Sequence, residues 1–231
     1  MKIAILLRGQ IRRMKPVFTE EFYYTKTVNS FINKIKIPLE KNEHKIDIYA
    51  SIKSDNISET ENFVKDYGIA ENKYIVNSGT NQYQDILNGL NLINNAGDIY
   101  DATIITRVDL LYKNEIVNFN IDYSKFNICW AEPDARWHCD NFYVFSQKYI
   151  KNMIDILNSN RELTNYVFFG QLYIYNLISE NIKKDYPEEK DFVNLLYKNR
   201  YYSGTNWINK ECDNPIYRIY GYEYHFDTSI F

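Results

Sequence analysis

Three cysteines, eight glycines and five prolines are all that this 231-residue chain holds of the residues that staple, loosen or break a fold. Cys129, Cys139 and Cys212 are odd in number and carry no Cys-x-x-Cys spacing, which excludes a disulfide framework and a zinc knuckle and leaves reduced, mostly buried thiols as the expectation. So little Gly and Pro leaves no room for long flexible linkers, and a single domain over 1–231 is expected. No run reaches the roughly eighteen consecutive apolar residues of a membrane-crossing helix. The opening Met-Lys-Ile-Ala-Ile-Leu-Leu-Arg-Gly-Gln is too short for a signal core and lacks a small-residue cleavage site, so it reads as a strand. A cytoplasmic protein, at most peripheral to a membrane, is the expectation. A surplus of basic charge is also missing. The formal net charge is −3, which disfavours nucleic acid as a partner, because backbone affinity rests on clustered Lys and Arg. No Gly-x-x-x-x-Gly-Lys-Ser/Thr phosphate loop follows any apolar run, which speaks against a P-loop kinase or sulfotransferase. No internal repeat is visible.

What is present is alternation. Lys2 to Leu7 predicts a buried strand running into a tight Arg8-Gly9-Gln10 loop. Val28, Phe31, Ile32 and Ile35 mark one face of a helix that begins near Pro16 and ends before Pro38. A strand from Lys45 to Ile52, a short helix after Ser58 that stops at Gly68, and an apolar run from Lys73 to Val76 follow. Tyr83, Ile86, Leu87, Leu90 and Ile93 predict another helix, closed by Asn95-Ala96-Gly97 before a fourth strand, Ala102 to Thr106. This β-α-β-α-β-α-β order predicts an α/β fold: a Rossmann-like, mainly parallel sheet with helices on both faces and ligands beyond the strands' carboxyl ends. Asn127 to Ala131 and Phe142 to Phe145 read as further strands, with helices near Gln147 to Leu157 and Val167 to Asn181. There the alternation breaks. The mixed second half suggests a nucleotide-binding half, 1–113, fused to an acceptor-facing half, 114–231.

Two strand ends carry chemistry. Arg8, Arg12 and Arg13 follow the first strand, where guanidinium groups and the backbone N–H groups of a Gly9-containing loop are placed to meet a phosphate or a base. The plainer alternative is that they are solvated loop charges. Arg107-Val108-Asp109 follows the fourth strand, and a carboxylate there, taken as lying outside the core, suits Mg or Mn, hard cations that accept oxygen ligands. The plainer alternative is that Arg107 and Asp109 pair at the edge of the sheet. Tyr49 and Ser51, at the end of the second strand, either flank a base or pack inward.

The segments KIAILLRGQIRR, NQYQDILNGLNLINNAGDIYDATIITRVDLLYK and WAEPDARWHCDNFYVFSQKYIKNMI, in that order, resemble bacterial and viral glycosyltransferases of the capsular and lipopolysaccharide type. Those enzymes adopt the GT-A fold. The resemblance covers roughly residues 1–157, and the order of several short motifs is more specific than any one of them. It implies transfer of a sugar from a nucleotide-sugar donor, best matched by a UDP-sugar, to a glycan or other hydroxyl acceptor. With the strand-end reading above, Arg8, Gly9, Gln10, Arg12, Tyr49, Ser51, Arg107 and Asp109 are the residues expected to bind such a donor. Arg107-Val108-Asp109 takes the place of an Asp-x-Asp signature whose first Asp is here Arg. Either Asp109 and the diphosphate hold a Mn or Mg ion between them, or Arg107 supplies part of the positive charge. His225 takes the place of a carboxy-terminal metal ligand, and imidazole suits Mn better than Mg. Asp140, ahead of an aromatic strand, is the candidate base that takes the acceptor proton in an inverting transfer, with Glu132 and Asp134 as competitors. His138 points away from Cys139 in an extended chain, so the pair is discounted as a metal site. The runner-up is a non-catalytic nucleotide- or carbohydrate-binding protein that kept the fold and lost a carboxylate.

Overall fold

The apolar run that opens the chain becomes the centre of a sheet. In a computed structural model, which describes residues 1–13, 22–78, 82–128, 131–132, 137–138, 141–159, 184–186, 193–196 and 216–218, strand β1 spans Lys2–Gln10. It is longer than its apolar run. Arg8-Gly9-Gln10, expected as a loop, continues the strand because Arg8, Gly9 and Gln10 pair with Ser51, Ile52 and Lys53 of β4 (Lys45–Lys53). Only then does the chain turn, into a short ribbon of β2 (Arg12–Arg13) on β3 (Phe22–Tyr23).

The helix expected to stop before Pro38 does not. α1 (Thr25–Phe31) passes into a π-helical stretch, Ile32–Lys36, and on into α2 (Ile37–Lys41), with Pro38 inside its first turn. Proline offers no N–H to a helix interior. The wider turn shifts the bonding just ahead of it, so that Ile37 N–H donates to the Ile32 carbonyl five residues back. The expected start near Pro16 lies outside the described residues. Val28, Phe31 and Ile35 are buried as the spacing requires.

α3 (Ile57–Tyr67) is capped by Asn56, whose side-chain oxygen accepts from Glu59 N–H, and stops at the left-handed Gly68. β5 (Tyr74–Asn77), α4 (Gln82–Asn95) and β6 (Ala102–Arg107) follow as the periodicity predicts. Beyond them come β7 (Leu110–Tyr112), β8 (Phe126–Ile128), β9 (Ala131–Glu132), β10 (Trp137–His138), β11 (Phe142–Ser146), α5 (Ile150–Ser159), β12 (Val193–Leu195) and β13 (Ile216–Arg218). The helix expected over Val167 to Asn181 lies outside the described residues.

The fold is α/β. A seven-stranded sheet has the order β12-β8-β11-β6-β1-β4-β5, so it draws strands from both halves of the chain. β6, β1, β4 and β5 run parallel, while β11 is antiparallel to β6 and to β8. One core, containing Leu7, Ile52 and Val144, packs under Phe31 of α1, Ile35 of the π-helical stretch, Leu39 of α2, and Phe63 and Tyr67 of α3. The opposite core, containing Leu6, Tyr49 and Tyr143, packs under Leu87 and Leu90 of α4 and Met153 of α5. On that side Gly89 lies directly on Leu6, where a side chain would collide.

Candidate functional site

Strand order decides where a ligand can enter. From β1 the chain moves outward to β4 and β5, then returns through α4 to place β6 on the other flank of β1. The connecting helices therefore leave on opposite faces and part beyond the carboxyl ends of β1 and β6, which opens a crevice at the reversal. Arg8 and Arg107 stand at those ends, paired in register. Alternation along β1 and β6 turns both toward the face that carries α4, because Leu6 and Ile105, two residues earlier, belong to the core on that side. Ser51 on β4 occupies the same level beside Arg8.

Both arginines are buried: Arg8 is 1% exposed and Arg107 7%. Arg107 binds the Asp109 carboxylate through two parallel bonds, Nε to Oδ1 and an Nη to Oδ2, each 2.8 Å. This planar fork is the strong form of an arginine–carboxylate pair. One backbone hydrogen bond holds the strand ends together, beside a glycine in an unusual conformation. Val108 N–H donates to the Arg8 carbonyl at 3.0 Å, and Gly9 adopts φ +117°, a conformation that side-chain-bearing residues rarely take.

Asp109 does not lie outside the core, as its strand-end position suggested; it is 1% exposed. It adds to the field that, with burial as the larger cause, raises the Tyr67 hydroxyl above the usual tyrosine range. That hydroxyl is 3.5 Å from the Thr27 hydroxyl, which donates to the Val108 carbonyl. The donor set for a metal can be tested on these contacts. Both Asp109 oxygens accept from Arg107, and no cluster of three or more His, Cys, Asp or Glu able to hold an ion occurs among the described residues. The described residues alone therefore do not fit a metal centre. His225 and Asp140 lie outside them, as do Cys139 and Asp134. Glu132 lies in β9 and His138 in β10, which pair antiparallel with Glu132 opposite Trp137 and His138 opposite Ala131.

The remaining expected site residues separate. Arg12 donates to Glu59 at 2.6 Å and lies over the Tyr23 ring, so its charge already has partners away from the sheet edge. Tyr49 is fully buried two residues short of the edge, and its hydroxyl meets that of Tyr100 at 2.7 Å. Gln10 is exposed and pairs with Lys53 at the strand end. Ser51 accepts from Asn77 Nδ2 at 2.8 Å; the Asn77 oxygen accepts from Asn88, whose own oxygen accepts from Gln84.

This amide chain was not anticipated, nor was the Lys53–Asp85 ion pair at 3.2 Å, in which Asp85 is 2% exposed. It ties the edge of β4 to the first turn of α4. Asn141 was also missed. Phe142 pairs with Thr106, and continuing that antiparallel register by one residue sets Asn141 against Arg107. Strand alternation from Tyr143 would have put it on the ligand-facing side, but its burial depends on the neighbouring strands.

The sequence matches no protein-family model and no curated protein. Among solved structures the chain is similar to an active-site mutant of LgtC, at 8% identity and TM-score 0.47, over 93% of this chain and 86% of that one. It is also similar to a glycosyltransferase involved in glycosylation of the major capsid of PBCV-1, at 8% identity and TM-score 0.43, over 83% and 81% of the two chains. A cytidylyltransferase from Leptospira borgpetersenii matches at 14% identity and TM-score 0.40, over 80% and 73%. Likenesses of this size assign no activity, so any functional reading stands on the site. No helix is long and apolar enough to cross a membrane among the described residues.

Proposed function

We propose that the chain transfers a sugar from a nucleotide-diphosphate-sugar, with a UDP-sugar as the best-matched donor, to a hydroxyl acceptor such as a glycan, in the cytoplasm. The observation that carries this reading is the pair of buried arginines, Arg8 and Arg107, in register where the strand order reverses. Guanidinium groups match phosphate oxygens bidentately, and a buried position strengthens each such bond. Arg8 binds the diphosphate, and Arg107, oriented by Asp109, stabilises the charge that grows on it as the glycosidic bond breaks. Asp140 takes the acceptor proton, on the ground of its place in the sequence before an aromatic strand. Mn or Mg, held by Asp109 and His225, is a further part of the proposal that no step above requires.

Thermal shift with UDP-, GDP- and CMP-linked sugars, each with and without Mn, tests the reading, because a ligand that binds only the native state raises its apparent stability. The expected result is stabilisation by a UDP- or GDP-linked sugar, which carries a diphosphate, that Arg8→Ala abolishes; a shift with the CMP-linked sugar alone, which has one phosphate, counts against it. No shift with any of them overturns it. One observation favours the non-catalytic alternative: the carboxylate expected to serve metal or sugar is bound by Arg107 at both oxygens. Product formation from a bound nucleotide-sugar separates the two readings.

A further inference from the structure

Asn141 is 3% exposed, and its side-chain oxygen has no hydrogen-bond donor among the described residues. An amide oxygen removed from water without a donor carries the full cost of its lost hydration, so buried polar atoms of this kind call for an explanation. Its place supplies one. Tyr143, two residues on, packs in the core under α4 and α5, so alternation turns Asn141 to the face that carries Arg8, Arg107 and Ser51. Ser51 on β4, Arg8 on β1 and Arg107 on β6 form a row in register across neighbouring strands at the ligand edge, and extending the β11–β6 register by one residue adds Asn141, immediately ahead of β11.

The chemistry along this row differs. Its two middle members are cations that suit phosphate oxygens, which only accept. Asn141 presents an acceptor, so it needs an O–H or N–H. It lies two strands from Arg8, roughly 10 Å at ordinary strand spacing, on the side away from β4. With the diphosphate on the arginines and the nucleoside toward Ser51, the donor-rich group left to reach Asn141 is the sugar. We propose that Asn141 accepts a hydrogen bond from a hydroxyl of the donor sugar and so discriminates among sugars; this rests on the nucleotide-sugar reading above. A site built to bond a hydroxyl rejects an analogue that lacks it, because the buried partner is then left unsatisfied.

Calorimetry on the whole chain tests this with UDP against UDP-glucose and GDP against GDP-mannose, followed by deoxy analogues of whichever sugar conjugate binds. Asn141→Ala is expected to weaken the sugar conjugate about five- to thirty-fold, the range of one lost hydrogen bond to a buried group, and to leave the nucleoside diphosphate unchanged. One deoxy analogue should lose a similar factor on the wild type and nothing further on Asn141→Ala. Asn141→Asp keeps an acceptor oxygen and should retain the preference. Equal loss of nucleoside diphosphate and conjugate, or no loss of either, overturns the assignment while the nucleotide-sugar reading stands. If the wild type binds no conjugate, that reading falls and this one with it. Should Asn141→Ala not fold, the wild-type deoxy series decides: no analogue weaker than its parent overturns the proposal.

Discussion

Arg8 and Arg107 lie side by side on neighbouring parallel strands, paired in register and buried. Like charges directly opposite in a sheet disfavour each other. The Asp109 carboxylate offsets this at Arg107, and the arrangement joins three charged side chains from two strand ends distant in sequence.

Arg8→Ala should therefore weaken binding of UDP or GDP at least tenfold, about 1.4 kcal/mol, and flatten its dependence on salt, since it removes a charge-assisted contact to phosphate. Arg8→Lys should recover only part, because an ammonium lacks the planar fork. Titration calorimetry at two salt concentrations measures both. Unchanged affinity in Arg8→Ala would take the diphosphate off this residue.

Asp109→Ala should cost about 3–5 kcal/mol of stability, because it leaves the Arg107 guanidinium buried without its counter-charge. Replacing both residues with apolar ones of similar size should restore most of it. Urea unfolding of the single and double variants is the measurement. A single variant as stable as the wild type would mean that the pair is not buried in solution.

Asp140→Asn should lower turnover about a hundredfold or more and leave donor affinity intact, since a base removes the acceptor's proton and does not touch the diphosphate. Product formation and calorimetry on one preparation give both quantities. Full turnover in this variant would remove Asp140 from the mechanism.

Gly89→Ala should destabilise the chain by about 1–3 kcal/mol, because the added methyl meets Leu6, which is fully buried at the middle of β1. Helix propensity alone gives the opposite sign, a gain of about 1 kcal/mol. Leu6→Ala in the same background should relieve part of the collision. Chemical unfolding settles the sign.

At the amino edge of the sheet, burial alone would raise the Asp47 carboxyl. Hydrogen bonds from Lys73 and Tyr100, with Lys73's charge and a contact from Lys2, outweigh it and hold the group below its ordinary 3.8. A carboxylate depressed in the folded state contributes stability that is present above its unfolded value and lost as pH falls through the folded one. Stability should therefore decline below about pH 4, and Asp47→Asn should lower the neutral plateau and flatten that decline. Urea midpoints between about pH 6 and 2 report it. An unchanged acid limb would remove Asp47 from it.

Sequence pattern alone was enough for the elements whose stability is local. The continuous apolar run that opens β1, the α4 stripe of Tyr83, Ile86, Leu87, Leu90 and Ile93, and the stop at Gly68 depend on residues a few positions apart, and the strand's start, the helix and the stop stand where the pattern placed them. The candidate strand-end residues Arg8, Arg107 and Asp109 were legible for the same reason, since each follows an apolar run. What tertiary structure decided was everything that joins residues distant in the chain. β4 extends β1 through Gln10, past Leu7 where the local pattern ended, because its edge supplies the hydrogen bonds. A π-helical turn carries the helix past Pro38, where packing of Ile35 and Leu39 into the core outweighs a local break. Whether Asp109 faces water or Arg107, and whether Asn141 is sealed beside them, depends on β6 returning to the flank of β1 and β11 running antiparallel against it. That order follows from which apolar faces the helices cover, a long-range choice that side-chain periodicity does not encode.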